Sequence, residues 1–208
     1  MTKELIIVFV KNIKLGKVKT RLAASIGNRA AFEVYKELVK ETEKAIKTIT
    51  TDKRIYFSEA LEETIWEHAT KAIQNGEDLG ERMKNAFKKG FEDGYERIVL
   101  IGSDLPDINA THIKDGLQAL NQTEVVFGPA VDGGYYLVGL SKFHEYIFQD
   151  KPWSKPHLLE VTLEELKQKN VTFNLLEPLN DIDTFDDLKA SAFYTSNETL
   201  KQRIQQLQ

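Results

Sequence analysis

Leu5-Ile6-Ile7-Val8-Phe9-Val10 opens the chain as an unbroken apolar, largely β-branched run, and a loop rich in cations, Lys11 to Leu22, follows it directly. A continuous apolar run of six residues is what a strand covered on both faces requires, and it is too short for a membrane span or a signal-peptide core. A second run of the same kind, Arg97 to Gly102 (RIVLIG), leads into Ser103-Asp104-Leu105-Pro106-Asp107. Between them the apolar residues take a period of 3.6: Ala31, Tyr35, Leu38, Thr42, Ala45 and Ile49 share one helical face, with Ser25 or Asn28 placed to cap it.

Working outward, Arg54–Ser58, Glu124–Gly128, Tyr135–Leu140 and Val171–Leu175 read as further strands. Helices are expected over Leu61–Ile73, Leu79–Phe91, Thr111–Leu120, Lys155–Gln168 (Pro156 in its first turn) and Thr184–Ala192, and a polar C-terminal helix, packed on the outside or fraying, over Glu198–Gln208. Strands alternating with helices define an α/β chain with a mostly parallel sheet flanked by helices, and nothing in residues 1–208 reads as a linker, so one domain is expected.

Composition narrows the function. With 41% hydrophobic and 29% charged residues the chain has ordinary globular usage, and a net charge of −4 argues against broad nucleic-acid binding. The absence of cysteine removes disulfides, thiolate metal sites and a cysteine nucleophile; with no membrane span or leader in view, a cytoplasmic location is expected. The four histidines lack metal-ligand spacing, and no serine lies in a G-x-S-x-G elbow. Trp66 and Trp153 read as core or pocket wall. The charge distribution says more than its sum: between Glu4 and Glu33 there is no acid, while Lys11, Lys14, Lys17, Lys19, Arg21 and Arg29 are all cations.

Ligands of open parallel sheets bind beyond the carboxyl ends of the strands, where three charged or glycine-bearing loops fall. In Lys11–Leu22 a glycine sits among phosphate donors, with Lys19 and Arg21 the strongest candidates and Lys14 and Lys17 peripheral; it is neither a Walker loop nor a dinucleotide fingerprint. Asp104, just after a buried strand, suits Mg²⁺ or Mn²⁺ held against phosphate oxygens, although an aspartate there also suits a turn or a cap. Asp132-Gly133-Gly134 pairs a carboxylate with free backbone facing a sugar or acceptor, or simply makes a tight turn. Asn180-Asp181-Ile182-Asp183-Thr184 gathers acids that need a cation, a helix to cap, or solvent. An aspartyl-phosphatase reading of that D-x-D-x-T is rejected, since the motif belongs after a first strand.

Taken together, Gly16–Ala23 (GKVKTRLA), Asp78–Met83 (DLGERM), Gly102–Pro106 (GSDLP), Gly128–Leu140 (GPAVDGGYYLVGL) and Asp181–Thr184 (DIDT) resemble, in this order, a bacterial family of small glycosyltransferase-A-fold, nucleotide-diphospho-sugar transferase-like proteins. The resemblance runs from residue 5 to about residue 190, departing where Ile13 and Leu15 replace usual prolines and Lys155 a usual threonine. It implies a mixed sheet of that fold with a nucleotide pocket over its first half and an acceptor pocket over its second. Lys11, Lys19, Arg21, Gly80 and Arg82 would then bind the nucleotide and its phosphates. Asp104 and Asp132 would carry the catalysis, Gly133 and Gly134 would face the acceptor, and Asp104 with Asp183 would hold Mg²⁺ or Mn²⁺. The Lys-Thr-Arg-Leu, Asp-Leu-Pro and Asp-Ile-Asp-Thr segments are also similar to guanylyltransferases that activate phospholactate or phosphoenolpyruvate, and more distantly to molybdenum-cofactor guanylyltransferases. The first expectation is therefore glycosyl transfer from a nucleotide sugar to a small-molecule acceptor; the second is nucleotidyl transfer from an NTP with pyrophosphate release; the third is a non-catalytic nucleotide-binding protein.

Overall fold

A computed structural model describes residues 3–63 and 65–207. The opening apolar run is strand β1 (Glu4–Val10), with every residue from Leu5 to Val10 buried. It forms the middle of a seven-stranded sheet with β2 (Asp52–Phe57), β3 (Thr70–Ile73), β4 (Arg97–Ile101), β5 (Val125–Pro129), β6 (Tyr135–Leu140) and β7 (Phe173–Leu175), in the order β3-β2-β1-β4-β6-β5-β7. β6 runs against its neighbours β4 and β5; the other pairings are parallel.

Side chains on a strand alternate between faces, so β1 feeds two cores at once. Ile6, Val8 and Val10 meet Tyr35, Val39 and Ile46 of helix α2 (Asn28–Lys47) and Ile113 and Leu117 of α4 (Ala110–Ala119). Leu5, Ile7 and Phe9 meet Met83 and Phe87 of α3 (Leu79–Glu92) and Leu166 of α5 (Leu158–Gln168). Each such side chain, fully buried, contributes roughly 1.5–3 kcal/mol, which is why this run dictates the centre of the sheet. A third cluster joins α1 (Thr20–Ile26) and α2 to α6 (Phe185–Ala190) and α8 (Glu198–Leu207), with the short α7 (Ala192–Thr195) between the last two.

Four local expectations need correction. The stretch 61–73 is not a helix: Trp66 has a left-handed backbone (φ 59°), and Thr70–Ile73 adds to the sheet edge as β3 beside β2; Thr64, within that stretch, lies outside the described residues. Neither Ser25 nor Asn28 caps α2, whose N-cap is Gly27 without a side-chain bond. Helix α5 begins at Leu158 rather than Lys155, because the Leu159 N–H, in its first turn, donates to the Gly133 carbonyl at 3.0 Å and holds Pro156 in the turn ahead. The C-terminal helix is not merely external, since Leu200 and Ile204 are buried and Arg203 pairs with Glu33 of α2 at 2.9 Å; Gln208, the last residue of that expectation, lies outside the described residues. Among the described residues no helix is long and apolar enough to cross a membrane.

Candidate functional site

Register explains how loops far apart in sequence come to share one rim. Val8 of β1 lies opposite Ile101 of β4, so the segments that follow, from Lys11 and from Gly102, leave the same end of the sheet. Because β6 is antiparallel, with Leu137 opposite Ile101, its entry loop Asp132–Gly134 sits at that end too. The Leu179 N–H donates to the Pro129 carbonyl at 3.0 Å and the Val131 N–H to the Leu179 carbonyl at 3.1 Å, drawing Asp181 and Asp183 to the rim.

Lys19 is the hub. It precedes α1 in a left-handed conformation (φ 46°, ψ 50°), a strained choice for a residue with a side chain, of the kind that clusters at functional sites. Its ammonium lies 3.0 Å from Asp104 and 3.3 Å from Asp183, and its side chain is only 5% exposed. Burial alone would depress the Lys19 pKa, but Asp104 and Asp183 outweigh it and hold the ammonium above its ordinary value. Burial correspondingly pushes Asp104 upward, while Lys19 and then Lys11 overcome that and keep its carboxyl below the usual range. Arg21 reaches Asp183 at 2.9 Å with most of its side chain in solvent. The cations after β1 and the carboxylates after β4 and β7 thus meet at one point.

Two adjoining cavities share Asp104, Gly102, Phe9, Leu79 and Ser154. The larger, about 460 Å³, is walled by Lys11, Lys17, Lys19, Thr20 and Arg21. The smaller, about 240 Å³, is lined by Tyr135, Tyr136, Trp153, Asp132, Gly134 and Asp181 among others. Burial first, then the Asp104 and Asp183 carboxylates, push Asp181 up to about 6.

Several expected site residues fall elsewhere. Gly80 and Arg82 line neither cavity. Gly80 is buried where α3 meets the 3-10 turn Glu145–Phe148: an added Cβ would lie 2.3 Å from the Phe148 carbonyl oxygen and 2.6 Å from the Trp153 ring. Arg82 donates through Nε to the Gly76 carbonyl at 3.0 Å, and Asp78 caps α3 by accepting from the Glu81 N–H at 2.8 Å. Leu79 and Met83 reach the cleft from this segment instead. Gly80→Ala is expected to cost about 2 kcal/mol by overpacking, read as a lower urea midpoint. Lys14 is indeed drawn away, to Glu59 at 2.6 Å, whereas Lys17, expected to be peripheral, lines the larger cavity. Gly133 supports the turn, and Asp132 accepts from the Gly134 N–H at 2.9 Å while lining the smaller cavity.

Sequence reading missed the residues that hold the rim together. The Tyr35 hydroxyl accepts from the Lys11 N–H at 2.9 Å and shares a hydrogen bond with Ser103 Oγ at 2.9 Å, tying α2 to the ends of β1 and β4. Buried Asn12 accepts from the Glu59 N–H at 2.8 Å and donates to Glu62 at 2.8 Å, bracing the loop after β2. Neither stood out: Tyr35 lay on an apolar helical face, and Asn12 among lysines.

Asp104 and Asp183 converge on one ammonium, and Asp181 and Asp132 stand nearby in the same negative field. Hard carboxylate oxygens in that number suit Mg²⁺ or Mn²⁺, which commonly take one or two carboxylates and complete their shell with phosphates and water. Among the described residues no group of three metal-ligating side chains is gathered in the geometry of a metal site.

A mixed sheet of this order, flanked by helices, is the nucleotide-diphospho-sugar transferase fold. Over 100% of its length the chain is similar to a protein from Desulfovibrio desulfuricans G20 provisionally named a nucleotide-diphospho-sugar transferase, with 30% identity, a TM-score of 0.84 and 99% of that chain covered. The chain belongs to the DUF2064 family, described as uncharacterized proteins conserved in bacteria, whose profile matches residues 41–155. It is also 25% identical over 189 residues to a 2-phospho-L-lactate guanylyltransferase of Methanocaldococcus vulcanius, covering 88% of this chain and 82% of that protein. An inositol-1-phosphate CTP transferase from T. maritima shares the fold at 12% identity and a TM-score of 0.54, over 99% of this chain and 96% of that one.

Proposed function

We propose that this protein is a metal-assisted transferase that binds the phosphates of a nucleotide in the larger cavity, and that the reaction is nucleotidyl transfer from an NTP. What supports this reading is the wall of Lys11, Lys17, Lys19 and Arg21 beside Asp104, a cationic surface suited to nucleotide phosphates, together with the similarity over 88% of the chain to a 2-phospho-L-lactate guanylyltransferase. An acceptor hydroxyl in the smaller cavity attacks the α-phosphorus; the new O–P bond forms as the bond to the β-phosphate oxygen breaks, and pyrophosphate leaves. The hydroxyl proton passes toward Asp132 and on to solvent. Asp104 and Asp183 would hold Mg²⁺ or Mn²⁺, which supplies neutralisation of the phosphate charge. Lys19 orients the two carboxylates and faces the same phosphates, so positioning and electrostatics do most of the work.

Glycosyl transfer is the second reading, favoured by the full-length similarity to the Desulfovibrio protein; it uses the same cavity for a nucleoside diphosphate leaving group. Incubation with each NTP, Mg²⁺ and hydroxylated acceptors is expected to release pyrophosphate. If no combination does so while a nucleotide sugar with Mn²⁺ yields nucleoside diphosphate, glycosyl transfer replaces nucleotidyl transfer.

A further inference from the structure

The two halves of the cleft differ in charge as well as in shape, and the difference bears on the acceptor. The cations that reach the rim, Lys11, Lys17, Lys19 and Arg21, line the larger cavity. In the smaller one, Lys155 is the single cationic lining residue among the described residues, and its side chain is exposed. It faces three carboxylates, of which Asp104 is already paired with Lys19, leaving Asp132 and Asp181 to set the local potential. A phosphorylated or carboxylated acceptor would meet like charge there with too few donors to compensate.

The walls have their own preference. Phe9, Tyr135, Tyr136 and Trp153 present aromatic surface to this cavity. The ring of Tyr135 is fixed by a tilted contact with Phe127, centroids 5.0 Å apart. Burial raises the Tyr135 hydroxyl, whereas the Tyr136 hydroxyl donates to the Glu177 carbonyl at 3.1 Å. Carboxylates beside aromatic faces form the environment that accepts an ammonium while rejecting an anion.

Resting on the nucleotide-transfer reading, we infer that the acceptor is an amino alcohol with an apolar body, its ammonium set against Asp181 and the aromatic wall within the field of Asp132, and its hydroxyl turned toward Asp132. A cavity of about 240 Å³, slightly below the span usual for drug-sized ligands, suits a molecule of that size. The relatives' phosphorylated-acid chemistry would then not carry over to this chain.

Calorimetric titration of the full chain with leucinol and propanolamine, against glycerol phosphate and phosphoglycolate, tests this with and without a non-hydrolysable NTP analogue and Mg²⁺. The amino alcohols are expected to bind at least about tenfold more tightly, a preference that unit charge differences at close range readily supply. Asp132→Asn, which keeps an oxygen for the Gly134 N–H, should reduce that preference several-fold, and Tyr135→Phe should weaken amino alcohols without restoring the phosphate esters. Equal or reversed preference, or no binding by either class, overturns the inference. Failure of the NTP analogue to bind removes the nucleotide reading instead, and the acceptor preference is still read without it.

Discussion

Lys19→Met is expected to lower turnover by about 10²–10³-fold, the loss typical when one preorganised charge is removed from a transition state. Methionine keeps the unbranched apolar stem that fills this buried position but leaves Asp104 and Asp183 facing each other without the ammonium that holds them. Both carboxylates are more than a third exposed, so solvent screens much of their repulsion and the stability loss should stay near 1–2 kcal/mol, below that of a fully buried broken pair. The signature is therefore a large kinetic effect with a small shift in denaturation midpoint. Arginine should not rescue, because its planar fork needs more width than this 5%-exposed site offers and cannot present a point charge to two separate carboxylates. Pyrophosphate release together with urea unfolding reads both effects; wild-type turnover in Lys19→Met would remove Lys19 from the mechanism.

The second large effect is structural. At Gly133, φ is +88° and an added Cβ would lie 1.7 Å from the Pro156 carbonyl oxygen. That obstacle is backbone, so no rotamer relieves it, and the same residue accepts from the Leu159 N–H and donates to the Ala130 carbonyl. Gly133→Ala must open the turn, release the start of α5 and shift the wall carrying Trp153. We expect a loss of more than about 3 kcal/mol, with Tm falling accordingly, and loss of acceptor binding with it. Gly134→Ala is the control: its Cβ would meet only the movable Asp132 carboxylate at 3.1 Å, and a cost within about 1 kcal/mol is expected. Equal midpoints for the two variants would contradict the turn's role.

The contrast between these glycines marks where sequence reading stops. Gly133-Gly134 announced a turn, but only the approach of Pro156, from a separate segment, distinguishes an indispensable glycine from a tolerant one. Gly80 makes the same point in the other direction. It sits within a motif that resembles nucleotide-binding relatives, yet it serves the packing of α3 against the Phe148 carbonyl and the Trp153 ring.

By itself the chain's sequence determined what short-range physics controls: a doubly covered β1 from six consecutive apolar residues, the helical face of α2 from its period, the polar loops at strand ends, and which side chains carry charge. Tertiary structure decided which of those charges meet. Lys19 finds Asp104 and Asp183 across separations of 85 and 164 residues, and that depends on strand register and on the reversed direction of β6, neither of which leaves a local trace in composition or period. Burial and pairing are properties of the assembled rim, so the division of the cleft into a cationic and an aromatic-acidic half became visible only once the sheet had brought its loops together.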